Sequence, residues 1–413
     1  MNKMIRTLAW VIAIAGFAIG LVGMYQRITM GHAAANYGSY VPWGLWVTAY
    51  IYLIGLSAGA FLLSTLVYVF RIKILKSIGK LALFTALVTL IAAMFAIWLD
   101  LGHPERAWKL MFSTNFTSMM GWMAWLYSAY FVLLLVELWF AMRADMAACA
   151  GAPGFKGKLC GFLTFGRKDT SPEATAKDAN ILRILGTLGV PLAIAFHGGV
   201  GALFGVVGAR PYWNSGLTPI MFLVGALASG GALILFITAI WGPNRDSEQH
   251  RSMVIFLGQI VLGLLLFDLL LEWAEYSINM YSSIPAHVAS MKLILFGPYW
   301  WVFWIVHIVL GAVVPILLLV FLKNNLAAVA TAGALIAVTF MSVRLNIVIP
   351  ALAVEELEGL ARAFTGPGLT FNYFPSAMEW FVFVWVISLA GLLFLVGYSL
   401  LPVASQPKEV ASS

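Results

Sequence analysis

"LALFTALVTLIAAMFAIWLDLGHPERAW", residues 81–108, carries no ionisable group from Leu81 to Leu99 and then sets Asp100, His103, Glu105 and Arg106 within seven residues. An uncharged apolar stretch of about 18 residues or more is long enough to cross a bilayer as a helix. In lipid only helices and closed barrels satisfy their own backbone, and this run lacks the alternation of a barrel strand. It therefore reads as a membrane helix that stops at Asp100. Gly102 is expected to supply a left-handed cap, with Pro104 blocking continuation.

The same kind of run recurs along the chain, at 5–25, 42–70, 79–99, 118–142, 183–207, 218–241, 253–276, 299–322, 326–349 and 377–401. Hydrophobic residues make up 62% of the 413 and charged residues only 10%, which leaves no soluble domain. The fold class is all-α, a polytopic membrane protein of about ten transmembrane helices. We read 1–413 as one integral membrane domain. It divides into a first helix and outer segment (1–41), a four-helix bundle of helices 2–5 (42–207), a second bundle of helices 6–9 (208–349), and a last part (350–413). That last part holds an amphipathic outer segment at 351–364, the tenth helix and a cytoplasmic tail. Lys3 and Arg6 before an apolar run resemble a signal peptide. The run exceeds the usual hydrophobic core of one and is separated from "HAAA" by "MYQRITMG", so it reads as a retained first helix.

With the N-terminus inside, 17 of the 24 Lys and Arg fall on the inner side, Lys408 among them, seven in the 143–183 stretch alone. Arg27, Arg106, Lys109, Arg210, Lys292, Arg344 and Arg362 remain on the outer side or the outer helix ends. That bias places both termini in the cytoplasm of a bacterial inner membrane. The +7 net charge is then a topology signal that implies contact with lipid and no nucleic acid. The inner loop 143–182, rich in Gly, Pro and Lys, reads as a flexible joint. Its Cys149 and Cys160 form no C-x-x-C and have no neighbouring His, so they read as reduced bystander thiols. No metal site, iron–sulfur centre or phosphate loop is indicated.

The halves look related. "GLSAGAFLL" (55–63) matches "ALASGGALI" (226–234) at an offset of 171, a likeness that small-residue packing alone also produces. The offset carries Asp100 to Leu271, beside Glu272 in "LLEWAEY". Acids at Asp100, Glu272 and Glu275 would sit at the negative ends of helices 3 and 7, where an anion is disfavoured. Such carboxyls are suited to take and release protons, unless Arg106 or Arg344 neutralises them. Deeper in the bilayer lie Glu137, His197, Asp268, His307, and Arg344 with Asn346. With Glu272 and Glu275, the acids and His could relay protons inward. His197 and His307 are the one pair that could ligate a haem, and neither has a second partner; a b-type cytochrome is the weakest reading.

"WGLWVTAYIYLIGLSAGAFLLS" followed by "LDLGHPERAW", and later "VRLNIVIP" and "NYFPSAMEWFVF", resemble the NrfD/polysulfide-reductase membrane-subunit family in its ten-helix branch. That branch includes membrane subunits of periplasmic hydrogenases and of sulfite-reduction-associated redox complexes. The resemblance implies a subunit, not catalytic alone, that exchanges electrons between menaquinone or ubiquinone and a periplasmic four-cluster iron–sulfur protein. Further redox subunits, a multihaem cytochrome c or a catalytic subunit, are implied too. No haem or iron–sulfur cluster is implied in the chain itself. Asp100 and Arg106 match the motif bordering the quinone pocket, and Asn36 and Tyr40 stand where members turn polar groups toward the quinone head. Some members carry His at the position of Tyr40, which makes His32 or His103 the alternative donor.

Residue chemistry agrees with that reading. Quinone turnover needs an apolar slot, a donor to a carbonyl oxygen and a proton-exchanging group. Asp100, His103 and Glu272 are the proton-exchanging or donating candidates, and Asn36, Tyr40, Arg106 and Arg344 complete the quinone site. Proton translocation is a further expectation. A secondary transporter or ion-translocating module is the alternative class. Repeated bundles and intramembrane acids suit it, but no run shows a mid-membrane Gly/Pro break, Pro191 coming nearest.

Overall fold

The protein is described here from a computed structural model covering residues 3–404 except 283; Lys408 lies outside the described residues. Ten helices among them are long and apolar enough to span a membrane. They are α1 (Lys3–Met30), α2 (Leu45–Tyr68), α3 (Gly79–Asp100), α4 (Met119–Cys149), α5 (Pro172–Gly205), α6 (Thr218–Trp241), α7 (Glu248–Tyr281), α8 (Val302–Phe321), α9 (Leu326–Leu352) and α10 (Ala377–Leu400).

Helix α2 is the axis. Its most apolar window is 94% buried, against 17% for α1, because it packs on α3, α5 and α6 at once. The two small-residue segments make the closest of these crossings. A Cβ on Gly59 would lie 1.9 Å from the Ala226 carbonyl oxygen, and one on Gly230 would lie 2.6 Å from the Gly59 Cα. Glycine at both positions lets the two backbones touch, which is how helices associate where lipid removes the hydrophobic drive. Helices α3 and α5 pack on α2 with α4 between them, and α7 and α9 pack on α6 with α8 against α9. Helices α1 and α10 pair with each other, α10 also lying on α3.

Several expected boundaries move. The loop 143–182 is not a flexible joint. Helix α4 continues to Cys149, a helix spans Phe155–Leu163, and α5 starts at Pro172 behind a Ser171 N-cap. Cys149 and Cys160 are joined in a disulfide, with Cα atoms 5.8 Å apart, because the chain between them doubles back; they are not free thiols. Buried Arg143 pairs with Asp178 at 2.6 Å, tying α4 to α5, and Lys80 pairs with Asp145. The polar ends of these helices thus stand beyond the apolar runs as ordered structure.

The segment 351–364 is not a surface helix. Helix α9 runs to Leu352, and only Leu360–Ala363 is helical after it, behind a left-handed Gly359. Buried Arg210 accounts for the break, donating to the carbonyls of Ala351, Leu352 and Val354 and pairing with Glu356 at 2.6 Å. A cation on the last carbonyls of a helix satisfies them and opposes the dipole. Helix α8 is π-helical from Val302 to Val313. Pro315 has no N–H to return to the Gly311 carbonyl, which disfavours α register just ahead of it.

Candidate functional site

Helix α3 ends at Asp100, and the reason lies in Leu101 and in a neighbouring helix. Leu101 leaves the helix in an extended conformation (φ −65°, ψ 133°). Gly102 is not among the left-handed glycines, so the expected glycine cap is absent and Pro104–Arg106 forms a short 3₁₀ turn instead. The freed carbonyls are taken by Arg27 of α1, which is buried. Its Nε–H donates to Leu99 O at 2.8 Å and its Nη2–H to Leu101 O at 2.7 Å.

Asp100 faces a cavity of about 540 Å³ among α2, α3, α4, α5 and the chain that follows α3. Trp43, Tyr50, Trp98, Tyr127 and Phe204 give it aromatic walls, and the hydroxyls of Tyr50 and Tyr127 are hydrogen-bonded to each other. An apolar groove of about 400 Å³ continues from it between α3 and α4, sharing Met94, Phe95, Tyr127 and Ser128 and reaching Leu90 and Phe131. Ten residues of α3 separate Leu90 from Asp100, so the groove extends about 15 Å deeper along that helix.

Behind Asp100, off the cavity wall, polar groups from three other segments meet. Asp100 Oδ1 is sealed from solvent and has no hydrogen-bond partner, and the same holds for the Tyr37 hydroxyl. Each lies in the other's electrostatic field, with Arg27 and Glu379 beside both. Burial first, and then the carboxyls of Asp100 and Glu379, push the Tyr37 hydroxyl well above the usual tyrosine range, so it stays protonated. Burial and then the Arg27 charge hold His32 below its ordinary value, as a neutral imidazole. Its ring and those of Tyr37 and Trp46 lie 5.5–6.1 Å apart. Asp100 is the one carboxyl among the residues lining the cavity, and a carboxyl so placed is a candidate to exchange a proton with a ligand.

Of the residues expected around Asp100, the structure brings none of the others to the cavity wall. His103 is largely exposed and bonds Glu105 at 3.1 Å. Arg106, equally exposed, sits 3.5 Å from the same carboxylate, so Arg27 and not Arg106 is the cation beside Asp100. The Asn36 side chain donates to Phe374 O at 2.8 Å. The Tyr40 hydroxyl is committed to Leu360 O and Phe364 O, and its ring stacks on Phe371. These two fasten the outer segments together. Arg344 belongs to another centre. The sequence reading did not single out Arg27, Tyr37, Tyr50, Tyr127 or Glu379. Two signals were present: a lone Arg at the outer end of the first helix, against the charge bias, and the S-x-x-E capping box Ser376–Glu379.

The remaining expected residues fall elsewhere. Helix α7 runs nine residues past Glu272, so Glu272 and Glu275 lie within the helix and not at its dipole end, correcting the expected symmetry with Asp100. Glu272 Oε2 pairs with His307 Nε2 at 2.7 Å. Glu275 accepts from Ser215 at 3.2 Å and Asn279 at 3.1 Å. Asp268 and Arg344 lie in the field of that pair, with Asp268 Oδ2 and both amide atoms of Asn346 unpartnered. Arg344 donates to Phe222 O at 3.2 Å and stacks on Phe222 and Phe340. His197 Nε2 bonds the same carbonyl at 2.8 Å, while His307 Nε2 is taken by Glu272. Glu137 stands apart on α4 among Tyr68, Tyr130 and Gly186, with Oε1 unpartnered.

The sequence profile described as "Polysulphide reductase, NrfD" matches residues 34–355. The chain belongs to the NrfD family. With ten apolar helices, this NrfD member is a multi-pass integral membrane protein. It is 39% identical to a subunit of the selenate reductase of Mesobacillus selenatarsenatis over 398 residues, covering 95% of this chain and 93% of that one. It is 29% identical to the Hdr-like menaquinol oxidoreductase integral membrane subunit of Archaeoglobus fulgidus (96% and 93% covered). Identity is 24% to the menaquinone reductase integral membrane subunit of Nitratidesulfovibrio vulgaris (99% and 94% covered).

Proposed function

We propose that this protein is the quinone-reactive membrane subunit of a multi-subunit respiratory oxidoreductase, with the quinone head in the Asp100 cavity. The observation that carries the reading is that Asp100 is the one carboxyl among the residues lining an otherwise apolar and aromatic chamber. The groove between α3 and α4 is apolar and runs along the lipid-facing side of Phe95 and Val132, which suits a polyprenyl tail. Menaquinone is the favoured substrate, since two full-length relatives are named for menaquinol or menaquinone.

Two roles follow for this chain's residues. Asp100 exchanges a proton with the oxygen of the bound head, and Tyr37, held protonated behind it, offers its hydroxyl to the carboxyl. Trp43, Tyr50 and Tyr127 exclude water and hold the ring plane. Electrons arrive or leave through a partner redox subunit, a reading supported by relatives that are themselves named as subunits of reductases and oxidoreductases. A four-cluster iron–sulfur protein docked over the Asp100 end is the partner that fits. The charge bias puts that end on the periplasmic side of the inner membrane.

Asp100→Asn in the purified complex tests the reading. The isostere keeps the cavity and removes the proton exchange, so quinone-linked electron transfer should fall by about a hundredfold or more while the partner subunits still co-purify. Wild-type turnover in that variant would overturn the assignment. A second role, proton translocation, is favoured by the buried polar centre at Asp268, Glu272, His307 and Arg344, which sits against the π-helical stretch of α8.

A further inference from the structure

The family profile covers residues 34–355. Helices α1 and α10 lie wholly outside that span, yet each sends a buried charged side chain to the Asp100 end. Arg27 makes its two hydrogen bonds to carbonyls on either side of Asp100. Glu379, fully buried, accepts from Asn36 N at 3.0 Å, from Ser376 N at 2.9 Å and from the Tyr373 hydroxyl. That hydroxyl accepts in turn from Leu45 N at 2.8 Å, and the Glu379 carbonyl takes the Trp46 indole N–H at 3.0 Å. Glu379 therefore fastens both ends of the segment that carries Tyr37.

The two helices are locked to each other as well. A Cβ on Gly20 would lie 2.4 Å from the Trp385 Cβ, and one on Gly23 would lie 2.6 Å from the Phe381 Cβ. Neither helix can slide or turn without carrying Arg27 or Glu379 with it.

We infer that α1 and α10 are a clamp for the proton-exchanging site, in which Arg27 is the positioning residue that holds the end of α3 carrying Asp100 against the cavity and Glu379 holds the backbone of the segment that carries Tyr37. The inference rests on the quinone reading above for its assay. Its structural content is the pair of carbonyl contacts from Arg27. Without them the last turn of α3 loses the donors that satisfy Leu99 and Leu101, and Asp100 is free to swing with the extended chain. The effect should fall on turnover: a displacement of about 1 Å at a reacting group costs on the order of a hundredfold in rate.

The test uses the complete complex and reads kcat and KM for quinol together with co-purification of the partner subunits. Arg27→Gln is expected to lower kcat about tenfold or more with assembly intact. Arg27→Lys, which keeps a cation able to reach one carbonyl, is expected to recover part of that loss. Combined with Asp100→Asn, the Gln variant should add nothing to the loss, since both act through one carboxyl. An unchanged kcat in assembled Arg27→Gln, or losses that multiply in the double variant, would overturn the clamp. If Arg27→Gln fails to assemble, Glu379→Gln decides: lowered kcat in an assembled complex supports the clamp, and wild-type kcat overturns it. Normal turnover in Asp100→Asn alone strikes the quinone reading instead.

Discussion

Replacing Gly59 by Ala adds a single methyl group at the point where α2 and α6 cross. That methyl would stand 1.9 Å from the Ala226 carbonyl oxygen and 2.9 Å from the Gly230 Cα. Ordinary contact begins at 3.4 Å, so the helices must part by about 1.5 Å at the oxygen. Neither obstacle is a side chain that can rotate away, because both are backbone. Overpacking of this kind costs about 1–3 kcal/mol, and a site without a flexible neighbour belongs at the upper end. Helix α2 also carries Val47, Tyr50 and Ile51 on the cavity wall, and its Gly55 lies 3.8 Å from Arg344 by the position of its missing Cβ. Parting α2 from α6 therefore disturbs both polar sites. In detergent, unfolding followed by intrinsic tryptophan fluorescence should show Tm lowered by a few degrees and quinone-linked turnover reduced. Gly263→Ala on α7 is the control, since nothing lies within 4 Å of that position; alanine there should be neutral or slightly stabilising. If Gly59→Ala melts with the wild type, or Gly263→Ala melts lower than Gly59→Ala, the close crossing is wrong.

The Tyr37 hydroxyl is held above the usual tyrosine range, so it would lose its proton only at pH values beyond those of any practical assay. Tyr37→Phe should therefore lower turnover severalfold without altering the alkaline side of the pH–rate profile; an alkaline limb of the wild type that vanished in the variant would refute this. Glu272→Gln breaks the 2.7 Å pair with His307 and leaves Asp268 and Arg344 in place. In proteoliposomes holding the complex it should abolish proton uptake linked to turnover while leaving uncoupled electron transfer within about twofold, and unchanged proton uptake would remove the centre from any proton route.

The ten helices were legible because hydropathy over one span's length is a strong and local signal. So was the small-residue likeness between 55–63 and 226–234, which turns out to mark the crossing of α2 on α6. Asp100 stood out because it closes an uncharged run. Its neighbours did not, because His103 and Arg106 are near it in sequence but lie on a 3₁₀ turn that points them to solvent. The charges that do lie near it, Arg27 and Glu379, come from helices 73 residues before it and 279 residues after it, and no local pattern encodes that convergence. The polar helix ends beyond Met142 were misread for a related reason. Their order comes from tertiary ties, Arg143 to Asp178 and Cys149 to Cys160, that composition does not reveal.

An offset of 171 residues relates the two halves at their crossing, yet their acids end in opposite states. In the first half α3 stops at Asp100, so the carboxyl meets a chain reversal, a cavity and a cation that binds main-chain carbonyls and not the carboxyl itself. In the second half α7 continues to Tyr281, and Glu272 meets His307 from a helix whose π register brings it into reach. A helix that ends exposes its last side chain to whatever fills the space beyond, whereas a helix that continues buries an acid near the corresponding position among its neighbours. The length of one helix thus separates an acid on a cavity wall from an acid already paired.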